Sequence, residues 1–287
     1  MTKIAAHILN GSEIAKNYLE SASKQIAQIR KSGDILTLGT VQVGESQDAM
    51  LYSKHLANLL GKLGIHLTPL TFSESVSEEE LIDEIAMLTS NQDITGIMIF
   101  APLPKKIDPS NILNHIDMMK DVEGRTFLKS HFGVFSPTAN AVLTLLESTG
   151  CHFAGKEAVV VGHSDVVGKP TAVLLMDKLA TVTVCHKETR DLEGHIRKAD
   201  IVVAAAGKPH LIKGDWIKSG AIVIDVGENV VNGKLVGDVE FESAKERASF
   251  ISPVPGGVGP VTNVMLVKNL IKLYELNRCL GGSNGNC

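Results

Sequence analysis

The chain has 287 residues, 44% of them hydrophobic, enough apolar material for one large core or two of ordinary size. Its 28 Lys and Arg against 32 Asp and Glu give a formal charge of -4, and the cations are scattered rather than run together. That pattern excludes the basic footprint of a nucleic-acid binder or a polybasic membrane anchor and points to a small-molecule partner.

The first residues, MTKIAAHILNGSEIAKNYLE, lack the apolar core of a signal peptide. No stretch reaches the roughly 20 apolar residues of a membrane span, so a soluble, cytoplasmic protein is expected. Helical spacing over EIAKNYLESASKQIAQI is followed by the β-rich ILTLGTVQV, a helix over 48–63 and a short strand HLTPLTF. Ser77 and Glu80 make a capping box that opens the helix EELIDEIAML, and ITGIMIFAPLP reads as a buried strand stopped by prolines. Strand and helix alternate, which predicts parallel βαβ units.

A second series follows the helix NAVLTLLESTG. Strands EAVVVG, ATVTVC, DIVVAAAG and AIVIDVG alternate with helices KPTAVLLMDKL and LEGHIRKA, the pattern of a doubly wound nucleotide-binding sheet. A boundary is expected near residues 140 to 150. The chain ends in a helix, VTNVMLVKNLIKLYEL, and a polar tail, GGSNGNC, expected to be disordered. Cys151, Cys185, Cys279 and Cys287 show no paired spacing and the His residues form no ligand cluster, so neither a metal site nor a disulfide framework is expected.

The most informative turn is GHSDVVGKP, which carries Gly162, His163, Ser164, Gly168, Lys169 and Pro170. A glycine turn lets backbone amides approach a pyrophosphate, and the helix that follows offers its N-terminus to the anion. Pro170 suits a first helical turn, where its missing N–H costs nothing. Read alone, the same turn is equally a structural one. The next strand ends in His186, Lys187 and Glu188, with Arg190 beyond. An acidic residue at that position would bind the ribose hydroxyl of NAD, whereas cations suit the 2′-phosphate of NADP; Glu188 leaves NAD open, and a solvated loop is the alternative.

GHSDVVGKP, ATVTVCHKETRDL, ADIVVAAAGKP, GAIVIDVGEN, GDVEF and SPVPGGVGPVTNVML, in that order, together resemble the bifunctional methylenetetrahydrofolate dehydrogenase/methenyltetrahydrofolate cyclohydrolase family. The N-terminal half follows with VG…Y, GIMIFAPLP and KDVEG. The resemblance implies an α/β fold of two domains with a cleft between them. A folate/catalytic domain would span 1–142 with 265–287, the C-terminal helix returning to it, and a Rossmann-like NADP-binding domain would span 143–264. It further implies a homodimer, a folate-type substrate, and the cofactor NADP taking a hydride from 5,10-methylenetetrahydrofolate before water opens the methenyl product. Pro255, Gly256 and Gly257 are then expected on the substrate, and Gly207, Glu228 and Thr262 join the cofactor residues above.

The carry-over is uneven on the folate side. Tyr52 matches the family's Tyr, but without gaps the family's Lys, one helical turn later, falls on Leu56, its Gln on Phe100 and its Asp on Glu123. The family's PCTP reads Ser136 to Ala139. Tyr52, Leu56, Phe100 and Glu123 are therefore the expected substrate contacts and Tyr52 the expected catalytic group. Lys54 substitutes for the lost cation only if the helix turns. An aliphatic side chain neither donates a proton nor stabilises an anion, so the expectation is a dehydrogenase with cyclohydrolase activity weak or lost. The alternatives are a divergent paralogue acting on another one-carbon or pterin-like substrate, and a non-catalytic folate or nucleotide binder.

Overall fold

The computed structural model describes residues 6–126 and 134–281; the tail from Gly282 onward lies outside the described residues. In chain order the strands are β1 (His7–Ile8), β2 (Thr37–Val43), β3 (His66–Phe72), β4 (Gly96–Ile99), β5 (Glu157–Val161) and β6 (Thr181–Cys185). They continue with β7 (Ile201–Ala204), β8 (Ile222–Asp225), β9 (Asn229–Val231), β10 (Lys234–Val236) and β11 (Phe250–Ile251). Among the described residues no helix is long and apolar enough to cross a membrane.

The chain divides into two compact units, Met1–Tyr18 with Ser136–Met265 and Leu19–Phe135 with Leu266–Cys287. The expected division at 142/143 falls inside the helix Pro137–Ser148. The break comes instead at the cap of that helix, where Ser136 accepts from the amide of Ala139 at 3.4 Å and Pro137 opens the first turn.

The unit built on β2 to β4 has a three-stranded parallel sheet in the order β3-β2-β4. Its apolar β2 is central, with Leu38 and Val41 fully buried. Pro69 in β3 lies opposite Thr40, tolerated because β3 is an edge strand that does not need every amide. The chain passes from β2 to β3 on one side and to β4 on the other. The carboxyl ends of β2 and β4 thus flank a topological switch point, the place where open α/β sheets bind ligands.

The other unit has a six-stranded sheet, all parallel, in the order β1-β11-β8-β7-β5-β6. Apolar periodicity finds four of these strands. β1 and β11, at two residues each, are too short to carry a period, and they extend the sheet beyond β8. A hairpin of β9 and β10 is a further addition. Here the chain leaves β5 for β6 on one side and returns to β7 on the other, which places a second switch point between β5 and β7. Trp216 packs against the core under this sheet rather than standing free for a ligand. Among the described residues Cys151 and Cys185 are free thiols.

Candidate functional site

At the β5/β7 switch point a cavity of about 670 Å³ is lined by the ends of three strands: Val161 and Gly162, Cys185 and His186, Ala205 and Ala206. Gly162 is required there. Its φ is +126°, and a Cβ would stand 2.0 Å from the Ala205 carbonyl oxygen. Gly168 is equally confined, since its Cβ would lie 2.1 Å from the Gly162 oxygen, so the turn folds back on itself as the helix Gly168–Asp177 begins. Ser164 supports it: its hydroxyl accepts from Val167 N at 3.2 Å and its carbonyl from Lys169 N at 3.0 Å. Pro170 is buried in the first helical turn.

The lining is cationic. Lys169, Lys187 and Lys208 face the cavity with His163 and His186, whose rings lie 5.2 Å apart, and the acid among them, Asp165, is already paired with Lys169. Lys187 and His186 line it where an NAD site would present a carboxylate; Glu188 and Arg190 are exposed and do not appear in the lining. The cradle fits a dinucleotide: two positions that admit no side chain, a helix N-terminus and an excess of positive charge. Burial pushes the Cys185 thiol up, which makes it packing and not a nucleophile.

One wall of this cavity depends on a residue that motif reading does not single out. Asp238 is fully buried, and its carboxylate accepts from the amides of Ala206 at 2.6 Å, Gly207 at 2.9 Å and Lys208 at 2.8 Å. Gly207, with φ +62°, makes the turn that aims these amides inward. Asn229 Nδ2 donates to the same carboxylate at 2.9 Å. Asp225 in turn receives the amides of Gly227, Asp238 and Val239, yet burial raises its pKa to about 6. Glu228 is exposed beside this network, Thr262 is half-buried with its hydroxyl turned back to Val258 O, and neither lines the cavity.

The PVPGG segment of the same unit is tightly shaped. Pro255 follows a cis peptide bond and is exposed, Gly256 has φ +100°, and Gly256 O accepts from Gly11 N at 2.9 Å. A Cβ on Gly257 would lie 2.5 Å from Pro253 O.

In the three-strand unit the helix Gln47–Leu63 turns Ala49, Tyr52, Leu56 and Leu60 inward, one helical turn apart, and leaves Lys54 exposed. Lys54 therefore does not substitute for a cation at position 56. Leu56 is 0% exposed and Phe100 5%, both within the core that also holds Leu38, Met98 and Leu270. Leu56 thus packs and is not the expected substrate contact. Phe100 stands at the carboxyl end of β4 with its ring against that of Tyr52. Glu123 is occupied: Oε2 accepts from Ile99 N at 3.2 Å and Oε1 from Arg125 Nη2 at 2.9 Å. Burial pushes this carboxyl up, and Arg125 draws it back. Asp121 caps a turn, its Oδ2 accepting from Thr126 N at 2.7 Å and Thr126 Oγ1 at 2.9 Å. Among the described residues no three His, Cys, Asp or Glu are grouped to hold a metal ion.

Comparison with known proteins bears on both regions. Residues 9–123 match the family model for the catalytic domain of tetrahydrofolate dehydrogenase/cyclohydrolase, and residues 136–278 match the model for its NAD(P)-binding domain. Bifunctional protein FolD 2 of Geobacter sulfurreducens is 44% identical over 280 residues, covering 94% of this chain and 98% of that protein. The crystal structure of the bifunctional FolD enzyme from Campylobacter jejuni superposes with a TM-score of 0.92 at 34% identity, over 95% of this chain and 100% of that one. The Trypanosoma brucei enzyme, solved with NADP cofactor and an inhibitor, gives 0.89 at 34% identity over 96% and 99% of the two chains. With matches over both halves, at this identity and near-complete length, the chain belongs to the tetrahydrofolate dehydrogenase/cyclohydrolase family.

Proposed function

We propose that the protein is an NADP-dependent 5,10-methylenetetrahydrofolate dehydrogenase of one-carbon metabolism whose cyclohydrolase step is weak or lost. The observation that carries the reading is a contrast between the two units. The glycine cradle and its lysines retain all that a phosphorylated dinucleotide needs, while beside Tyr52 the apolar side chains of Leu56 and Phe100 stand where a cation and an amide would be needed to move a proton with it.

Gly162, Ser164 and Gly168 would hold the pyrophosphate, and Lys187 with His186 the 2′-phosphate. The nicotinamide, when bound, supplies the hydride acceptor. Hydride leaves the N5–CH2–N10 carbon without proton transfer, so orientation carries much of the rate. Opening the methenyl product requires a proton to be taken from water, and Leu56 serves no such step. Glu123 is already bonded at both oxygens.

The finer assignments are a homodimer and a cytoplasmic location. A second copy is supported by β6, an outer strand with its edge open, where Val184 is exposed and Leu179 stands just before the strand, 72% exposed. Sedimentation at several concentrations tests the dimer. The function is tested by assaying the half-reactions separately. NADPH absorbance should rise with methylenetetrahydrofolate, and methenyltetrahydrofolate should decay at the uncatalysed rate; the opposite pair of results refutes the reading.

A further inference from the structure

Among the described residues three buried side-chain atoms have no hydrogen-bond partner: Asp121 Oδ1, Arg125 Nε and Thr171 Oγ1. Folded proteins leave few such groups, because a buried unpaired donor or acceptor costs about 1–3 kcal/mol and a charged one more. Two of the three lie on one short segment. That segment runs along the side of β4 that faces away from β2.

The segment is built to fix Arg125. Ile97 N donates to Lys120 O at 2.6 Å and Val122 N to Ile97 O at 3.4 Å, which lays residues 120 to 122 beside the strand. Glu123 then closes the ladder by accepting from Ile99 N, and its other oxygen takes Arg125 Nη2. The ion pair is largely withdrawn from solvent, with 16% of the Arg125 side chain and 13% of Glu123 exposed. A pair so buried gives little net stability, since desolvation offsets its Coulomb attraction. The guanidinium is fixed through Nη2 while its buried Nε–H stays unanswered, a donor that a ligand seated against this segment would satisfy. Glu123 ties Arg125 to Ile99, and the next residue, Phe100, is the one whose ring meets Tyr52.

We propose that Arg125 is the substrate-binding cation of this enzyme. It donates to the acceptor edge of the pterin, carbonyl oxygen or ring nitrogen, and Glu123 is its positioning residue. The assignment rests on the folate reading above. A guanidinium keeps its charge at any working pH, so it can fix and polarise a substrate but cannot pass a proton. Such a group serves hydride transfer, which needs orientation, and leaves the hydrolytic step without help.

Arg125→Leu alone strands the Glu123 charge, so the deciding variant is Arg125→Leu/Glu123→Gln, in which the amide oxygen at 123 still accepts from Ile99 N, no buried charge is left, and folding is expected to survive. Steady-state kinetics at saturating NADP should show KM for methylenetetrahydrofolate raised about 10- to 100-fold, the loss expected of one charged hydrogen bond. Calorimetry with tetrahydrofolate as probe should show the same loss, with NADP affinity unchanged. A folded double variant with wild-type KM and tetrahydrofolate affinity makes the pair a structural closure of β4 and overturns the assignment. Should that variant fail to fold, Arg125→Lys decides: it keeps the charge but not the planar fork, and an unchanged KM overturns the proposal as surely. A wild type that neither turns over methylenetetrahydrofolate nor binds tetrahydrofolate overturns the folate reading and this assignment with it.

Discussion

The ring of Phe100 meets that of Tyr52 edge-on, with 6.0 Å between centroids and 86° between planes. Edge-to-face pairs add about 0.5–1.5 kcal/mol beyond the area they bury, so Phe100 both fills the core and holds the tyrosine's orientation. Phe100→Ala should lower stability by about 3–5 kcal/mol and release Tyr52. Denaturant titration reads the first effect, and a raised KM for the folate substrate reads the second. A variant as stable as wild type would place Phe100 outside the core.

Lys187 faces the cavity and Arg190 does not, although both follow the same strand. Lys187→Ala should raise KM for NADP on the order of tenfold, the scale of one charge-assisted contact, and leave the constant for NAD nearly unchanged. Arg190→Ala should change neither. Equal losses for both cofactors would remove Lys187 from the 2′-phosphate.

Gly162 closes the end of β5 against β7, where Ala205 N donates to Val161 O at 2.7 Å. Any Cβ at Gly162 meets the Ala205 carbonyl, and its φ lies in a region open almost only to glycine, which by itself costs about 1–3 kcal/mol. Gly162→Ala should therefore lose both NADP affinity and thermal stability. Calorimetry and a melting curve check the pair, and tight NADP binding at an unchanged Tm would mean that the turn does not shape the cradle.

Both the cradle and the inward face of the helix Gln47–Leu63 were legible in the sequence for a physical reason: turn chemistry and helical period are local. Gly162 and Gly168 announce a backbone that must come close to something, and the spacing of Tyr52, Leu56 and Leu60 turns all three one way. What stayed hidden is what the chain brings together from afar. Asp238 reaches the amides of residues 206 to 208 across about 30 positions, and nothing in GDVEF alone tells which amides its carboxylate will collect. β1 and β11 pair with strands rather than with any pattern of their own. Arg125 gains its meaning from Glu123 and from Ile99, which ends β4 more than twenty positions earlier.

Asp225 makes the cofactor unit sensitive to pH. Its folded-state pKa, about 6, lies above the ordinary carboxyl value of 3.8, so the folded protein binds the proton more tightly than the unfolded chain. Its contribution to stability is then full below about pH 4 and lost as pH rises through 6. At 1.36 kcal/mol per pH unit the loss is about 3 kcal/mol. Asp225→Asn should flatten this part of the stability curve between pH 4 and 7, measured by denaturant unfolding at fixed salt. An unchanged slope would assign the pH dependence to another group.

The sharpest test returns to Leu56. Lys54 points away from the core, so Lys54→Ala should leave both half-reactions untouched. Leu56→Lys is a different matter, because the new ammonium would enter a position with no exposed surface, beside the Phe100 ring. An unpaired buried charge is costly, and the single variant should lose stability, with the lysine's pKa pushed down and little activity gained. Adding Phe100→Gln supplies an amide oxygen for the ammonium. The double variant should then recover part of the lost stability and acquire methenyltetrahydrofolate hydrolysis toward the about 10²- to 10⁴-fold typical of general acid–base help. The comparison is between the two variants at equal folded concentration, followed by the decay of methenyltetrahydrofolate absorbance. Robust hydrolysis by the unmodified protein, abolished by Lys54→Ala, would mean that the helix presents Lys54 inward in solution and that the loss of function at position 56 is illusory.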